Sequence, residues 1–198
     1  MTDKAYIPQT YVKLKHPEWC KNATIYEVNI RQYTPEGTFK AFEEHLPRLK
    51  DLGIDILWLM PIHPIGKKNR KGSLGSYYSV QDYYGVNPEF GSMEDFKVLV
   101  KKIHKMGMYV IIDWVANHSA WDNVLVDEHP EWYSKTAQGH FQPTRWWNWE
   151  DVIDLDYDQP GLRKYMTNAL KLGVGILGTI CRHGRNCFCG AQYLPDYF

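Results

Sequence analysis

Apolar positions along this chain fall into short runs and helical stripes that alternate. Residues 23–30 (ATIYEVNI) alternate apolar with polar and are rich in β-formers, which predicts a first strand. Phe39, Phe42, Leu46, Leu49 and Leu52 then recur at helical spacing, with Gly53 as the stop and Pro47 inside the stripe as a kink. Residues 54–60 (IDILWLM) predict a second strand, ended by Pro61 and Pro64. A long Gly, Ser and Lys loop follows over residues 66–91. Ser92 has the chemistry of an N-cap, and Asp95 three positions on completes a capping box. Phe96, Leu99, Val100, Ile103 and Met106 form the next apolar stripe, stopped by Gly107. Residues 108–115 are an apolar run broken only by Asp113, the pattern of a buried parallel strand. Strands alternating with amphipathic helices predict a parallel α/β sheet with right-handed crossovers.

The regular pattern then lapses. Between His118 and Pro160 no period is evident, and the segment holds Trp121, Trp132, Trp146, Trp147 and Trp149. A stretch that long without periodicity is a functional loop or a small inserted subdomain. A helix is expected from Gln159-Pro160, with Leu162, Tyr165, Met166, Ala169 and Leu170 as its apolar face. The organisation read from these patterns is a sheet-and-helix part (residues 1–118), a subdomain-like loop (119–158), a helix (159–171) and a tail (172–198).

Composition narrows the class. The 198 residues suffice for a sizeable core, and the 23 basic residues are cancelled by 23 acidic ones. That balance argues against a nucleic-acid or membrane-surface partner. The 8 Trp and 14 Tyr suit a large core, and loop tryptophans also suit flat apolar ligand faces such as sugar rings. Residues 1–17 lack the apolar core of a signal peptide and no run is long enough to cross a bilayer, so a cytoplasmic chain is expected.

Chemistry concentrates where strand three ends, in Asp113-Trp114-Val115-Ala116-Asn117-His118. Further anchors are residues 54–61, the string YSVQDY at 78–83, NPEFGSMEDF at 87–96, and Asp154-Leu155-Asp156. In this order, over roughly residues 19–171, the sequence resembles the α-amylase family of glycoside hydrolases. The resemblance implies an α/β fold, a partial (β/α)8 TIM barrel of three strand–helix units with an irregular inserted subdomain after strand three. It also implies retaining cleavage or transfer at α-glucosidic bonds of starch-like glucans or maltooligosaccharides. By the same resemblance Asp113 organises the catalytic pocket, and Tyr78, Asp82 and His118 bind substrate. Asn117 and Asp154 are implied ligands of a structural Ca2+ ion. Each residue also has a plainer reading. Asp113 can cap backbone N–H groups, Asn117 can stabilise a loop, His118 can be structural, and Tyr78 can be packing, with Tyr77 as its rival. Asp151, Asp156 and Asp158 crowd Asp154.

The resemblance stops after Lys171. Retaining hydrolysis needs a nucleophile and a proton-donating acid about 5–5.5 Å apart. The family's Gly-Phe-Arg-x-Asp nucleophile string and the acid Glu beyond it do not occur in this sequence. Residues 172–198 hold Arg182, Arg185 and Asp196 but neither Lys nor Glu, and they carry Cys181, Cys187 and Cys189. A reading-frame shift after Lys171 accounts for this change. So the reaction expected of the chain is none, and the reading is an inactive glycosidase part. A non-catalytic carbohydrate-binding remnant is the alternative. A weaker one is a zinc-binding tail using Cys181, His183, Cys187 and Cys189. The expected partner is an α-glucan or oligosaccharide, without nucleic acid or membrane. Self-association through an open sheet edge is expected as well, because three strands cannot close a barrel.

Overall fold

The computed structural model describes residues 18–144, 149–177, 180–182 and 187–188. Residues 1–17, Trp146, Trp147, His183 and Cys189, on which some sequence expectations fall, lie outside the described residues. The chain folds as two compact units that interleave along the sequence. Among the described residues, one unit comprises 63–85 and 115–169, and the other 18–62, 86–114 and those from 170 onward.

The second of these units holds the parallel sheet. Strand β1 is Ile25–Val28, β2 is Ile56–Leu59 and β3 is Tyr109–Trp114. They are parallel neighbours in that order, with Ile25, Ile56 and Tyr109 in one row and Val28 level with Leu59. This is the predicted α/β arrangement, an unclosed (β/α)8-type barrel. Each strand is shorter than its apolar run. The first run loses its end to a one-turn helix, α1 (Ile30–Tyr33).

The stripe after Thr38 does not form one kinked helix. It forms two, α2 (Phe39–Glu43) and α3 (Leu46–Asp51). Pro47 stands in the first turn of α3, where its missing N–H is not needed. The break therefore falls two residues before the proline, at His45. Leu52 ends α3 and is 62% exposed, so it does not belong to the core stripe. Phe39, Phe42, Leu46 and Leu49 are all buried, and Phe39 packs its ring against Phe90 and Phe96.

Helix α4 (Met93–Lys105) begins as the sequence predicts. Ser92 Oγ accepts from Asp95 N–H at 3.1 Å, and the Asp95 carboxylate accepts from Ser92 N–H at 2.7 Å. The Ser92 hydroxyl and backbone N–H both hold the Asp95 carboxyl below the usual carboxylate range. A depressed folded-state pKa contributes stability that is present above the unfolded value and lost as pH falls through the folded one. Ser92→Ala is expected to destabilise the protein by about 1 kcal/mol, seen as a lower urea midpoint at neutral pH. An unchanged midpoint shows that the cap carries no weight. Gly107 ends the helix at φ +71°, a conformation that only glycine adopts cheaply.

The tail departs from expectation. Helix α6 (Pro160–Leu177) starts at Pro160 as predicted but runs past Lys171 to Leu177. The composition of the tail predicts no strand, yet β7 (Ile180–Arg182) pairs in parallel with the end of β3, placing Asp113 beside Cys181. Strand β8 (Cys187–Phe188) pairs antiparallel with β7. The physical reason is backbone satisfaction: the end of β3 is a run of buried residues, and its N–H and C=O groups need a neighbour. The sheet order is β1-β2-β3-β7-β8, so the open edge expected at β3 is covered at Asp113 and Trp114. Among the described residues no strand pairs with the outer edge of β1. No helix of the described residues is long and apolar enough to cross a membrane.

Candidate functional site

The first unit contains the stretch that shows no period. It folds around a small antiparallel sheet of order β4-β6-β5, where β4 is His118–Ala120, β5 is Pro143–Thr144 and β6 is Trp149–Asp154. Its strands are too short, and its pairing too irregular near Pro143, to leave a two-residue period in the sequence. Between β4 and β5 lies helix α5 (Val124–Glu128), capped by the Asn123 side chain accepting from Leu125 N–H at 2.9 Å.

A segment from the long basic loop runs alongside β4. Ala120 N–H donates to Val80 O at 2.9 Å, and Asn123 Nδ2 donates to the same carbonyl at 2.9 Å. Tyr83 is buried, and its hydroxyl donates to His118 O at 2.9 Å. Burial pushes the Tyr83 phenol well above its ordinary range, so it stays a neutral donor. These bonds tie the strand that carries His118 to the segment that carries Tyr78 and Asp82.

Each predicted residue has a place. His118 is 5% exposed, and its ring meets Trp149 edge-on with centroids 5.5 Å apart. Tyr78 is half-buried, and so is its rival Tyr77. Asp82 is half-buried; its carboxylate accepts from Tyr84 N–H at 2.8 Å, which shapes the turn into Gly85. Asn117 has an exposed side chain, and its carbonyl accepts from Leu155 N–H at 3.0 Å. Asp154 stands opposite His118 in the β4–β6 pairing and accepts from the Thr144 hydroxyl at 2.5 Å. Tyr78, Asp82, Asn117, His118 and Asp154 thus belong to one unit. Asp113 belongs to the other, fully buried (0% exposed) at the next-to-last position of β3.

The calcium expectation rests on two oxygen-bearing side chains. Asn117 and Asp154 are hard donors on adjacent backbone, and a Ca2+ ion takes six to eight oxygens. Among the described residues no group of three His, Cys, Asp or Glu is placed to hold a metal ion. The two residues fit hard-cation chemistry as far as they go, and they do not complete a shell.

Sequence alone does not single out His63. It is 5% exposed, and its Nδ1 lies 3.0 Å from Gly85 O. A carbonyl only accepts, so Nδ1 carries the proton. Burial lowers the pKa of this imidazole, which favours the neutral ring. His63 therefore pins the end of the segment bearing Tyr78 and Asp82. Its one signal in the sequence is a polar residue between Pro61-Ile62 and Pro64.

Two charges of residues 67–71 hold the loop in place. Arg70 donates to the carbonyls of Gly66, Ile65 and Ser73, and Lys71 pairs with the buried Asp151 at 3.3 Å.

Comparison with known proteins fits this architecture. The family model described as "Alpha amylase, catalytic domain" matches residues 20–172, ending where the sequence changes character. The chain belongs to the α-amylase family of glycoside hydrolases. The crystal structure of an alpha-amylase from Lactobacillus plantarum is 44% identical, with a TM-score of 0.79 over 82% of this chain and 38% of that one. A noncanonic maltogenic alpha-amylase from Thermotoga neapolitana is 43% identical, with a TM-score of 0.76 over 84% of this chain and 40% of that one. Alpha-amylase 3 of Dictyoglomus thermophilum is 28% identical over 83% of this chain and 36% of its own length. The chain thus spans 40% or less of the length of each of these three relatives.

Proposed function

We propose that this chain carries the α-glucan-binding part of an α-amylase-type catalytic domain, acting on starch-like glucans or maltooligosaccharides. In this reading His118 hydrogen-bonds a sugar hydroxyl, Tyr78 stacks beneath a sugar ring, and Asp82 supports them. Asp113 is the pocket-organising carboxylate, and Asn117 and Asp154 give oxygen ligands to a Ca2+ ion. No step of the chemistry runs through that ion. The observation that carries the reading is the Tyr83–His118 hydrogen bond, which ties the Tyr78–Asp82 segment to His118 within one unit. The alpha-amylases among the relatives add to it.

The reading is tested by titrating the chain with maltotetraose and following tryptophan fluorescence. Saturable binding is expected, weakened about tenfold by His118→Ala, the worth of one hydrogen bond. Absence of saturable binding overturns the proposal. A parallel melt reads the calcium role: Ca2+ added after chelation is expected to raise Tm, and Asn117→Ala to remove that rise. Equal Tm values with and without Ca2+ remove the ion from the reading.

A non-catalytic carbohydrate-binding remnant, which uses Tyr78, His118 and the loop tryptophans, gives the same binding result. The zinc-tail reading needs Cys181, His183, Cys187 and Cys189, of which His183 and Cys189 lie outside the described residues.

A further inference from the structure

Three tryptophans of the segment between His118 and Pro160 lie among the described residues, and they are not equivalent. Trp132 is 9% exposed. The His129 ring stacks on it at 3.8 Å and 7°, and Gly161 passes so close that an added Cβ would lie 2.7 Å from the indole. Trp121 donates its indole N–H to Glu150 O at 2.8 Å, and the Lys68 ammonium stands 5.7 Å above its ring. Both are committed to holding the unit together. Trp149 is the most exposed of the three: it opens β6, is 41% exposed, and meets the buried His118 edge-on.

A large exposed indole is poorly placed for core stability, since burial is what gives an aromatic side chain its stabilising effect. Its face is electron-rich, and the axial C–H groups of a pyranose ring carry partial positive charge. A sugar laid on that face loses apolar surface to water and keeps its equatorial hydroxyls free at the rim. The edge-on contact with His118 puts this platform next to the imidazole that has its own sugar-binding role above.

We infer that Trp149 is a stacking platform for a glucose ring of the α-glucan bound by His118, and that it sets preference for longer oligosaccharides over single sugars. The inference rests on the proposed function and adds a residue and a specificity to it. Stacking needs the flat π face, so shape and chemistry can be separated by substitution. Trp149→Leu keeps apolar bulk and loses the face, whereas Trp149→Phe keeps a smaller face. Circular dichroism checks that each variant is folded.

The experiment titrates the 198-residue chain and both variants with maltotetraose and with glucose, by calorimetry. Trp149→Leu is expected to bind maltotetraose about two- to tenfold more weakly, the range given by an aromatic contact. Trp149→Phe is expected to fall between Leu and the unaltered chain, and glucose affinity to change less than maltotetraose affinity. Trp19→Phe, at the exposed tryptophan that stacks on Tyr109, is expected to change neither. Equal maltotetraose affinity in Trp149→Leu and the unaltered chain overturns this inference and leaves the proposed function standing. An unaltered chain that binds no maltotetraose overturns the proposed function and the inference with it.

Discussion

The chain of 198 residues, tested alone, is expected to release no reducing sugar from starch or maltooligosaccharides above the buffer blank. Retaining hydrolysis passes through a covalent glycosyl-enzyme intermediate. It needs one carboxylate to form that bond and one carboxylic acid to protonate the leaving oxygen. Asp113 lies at the end of β3, where the family has its pocket-organising aspartate, and no residue of this sequence matches the family's nucleophile or acid strings. Without these two groups the covalent step and the proton transfer have no donor in this chain, so the acceleration of about 10^6-fold or more that defines an enzyme is expected to be missing. Sugar release above the blank, abolished by Asp113→Ala, would contradict this expectation. Reading the nucleotide sequence through the codons for residues 165–198 bears on its cause. A shifted frame that encodes a Gly-Phe-Arg-x-Asp or Gly-Tyr-Arg-x-Asp string supports the frame-shift reading, and the lack of one in any frame ends it.

The second large effect is expected in the state of association. Among the described residues strand β1 ends the sheet, and Ile25 on it is 51% exposed. An edge strand with unmet N–H and C=O groups and an exposed apolar side chain is a template for pairing with another chain. Sedimentation is expected to show a mass that rises with concentration from that of one chain toward that of two or more. Ile25→Lys places a charge on the edge at little cost to the core and is expected to restore the single-chain mass. A concentration-independent single-chain mass for the unaltered protein, with a sharp reversible thermal transition, shows that the edge is quiet.

Whatever leaves a local period or a fixed spacing is legible without coordinates. Residues 54–60 and 108–115 are apolar because both faces of a parallel strand are covered, and such runs announce themselves. The capping box at Ser92 and Asp95, the stop at Gly107 and the start at Pro160 are legible for the same reason: each is settled within one helical turn. The ordered anchors through Asp113–His118 are enough to place the chain in its family.

Other features depend on partners distant in sequence. The stripe from Phe39 to Leu49 leaves open whether Pro47 kinks one helix or begins a second, and the structure places it in the first turn of α3. The sheet β4-β6-β5 is invisible in the sequence because its strands are two to six residues long, β4 pairs with β6 across more than 30 positions, as His118 does with Asp154, and β5 pairs with β6 irregularly. Strand β7 could not be foreseen because its sequence has no strand pattern of its own; the end of β3, with backbone groups to satisfy, recruits it. His63 and Trp149 also needed coordinates. A histidine in a proline-rich turn and a tryptophan in an aperiodic stretch look alike in sequence whether they are buried, exposed or idle. Only the tertiary structure sets one against the Gly85 carbonyl and leaves the other half-exposed beside His118. Local chain stiffness and side-chain spacing fixed the elements, and long-range burial and backbone hydrogen bonding decided how the elements pair.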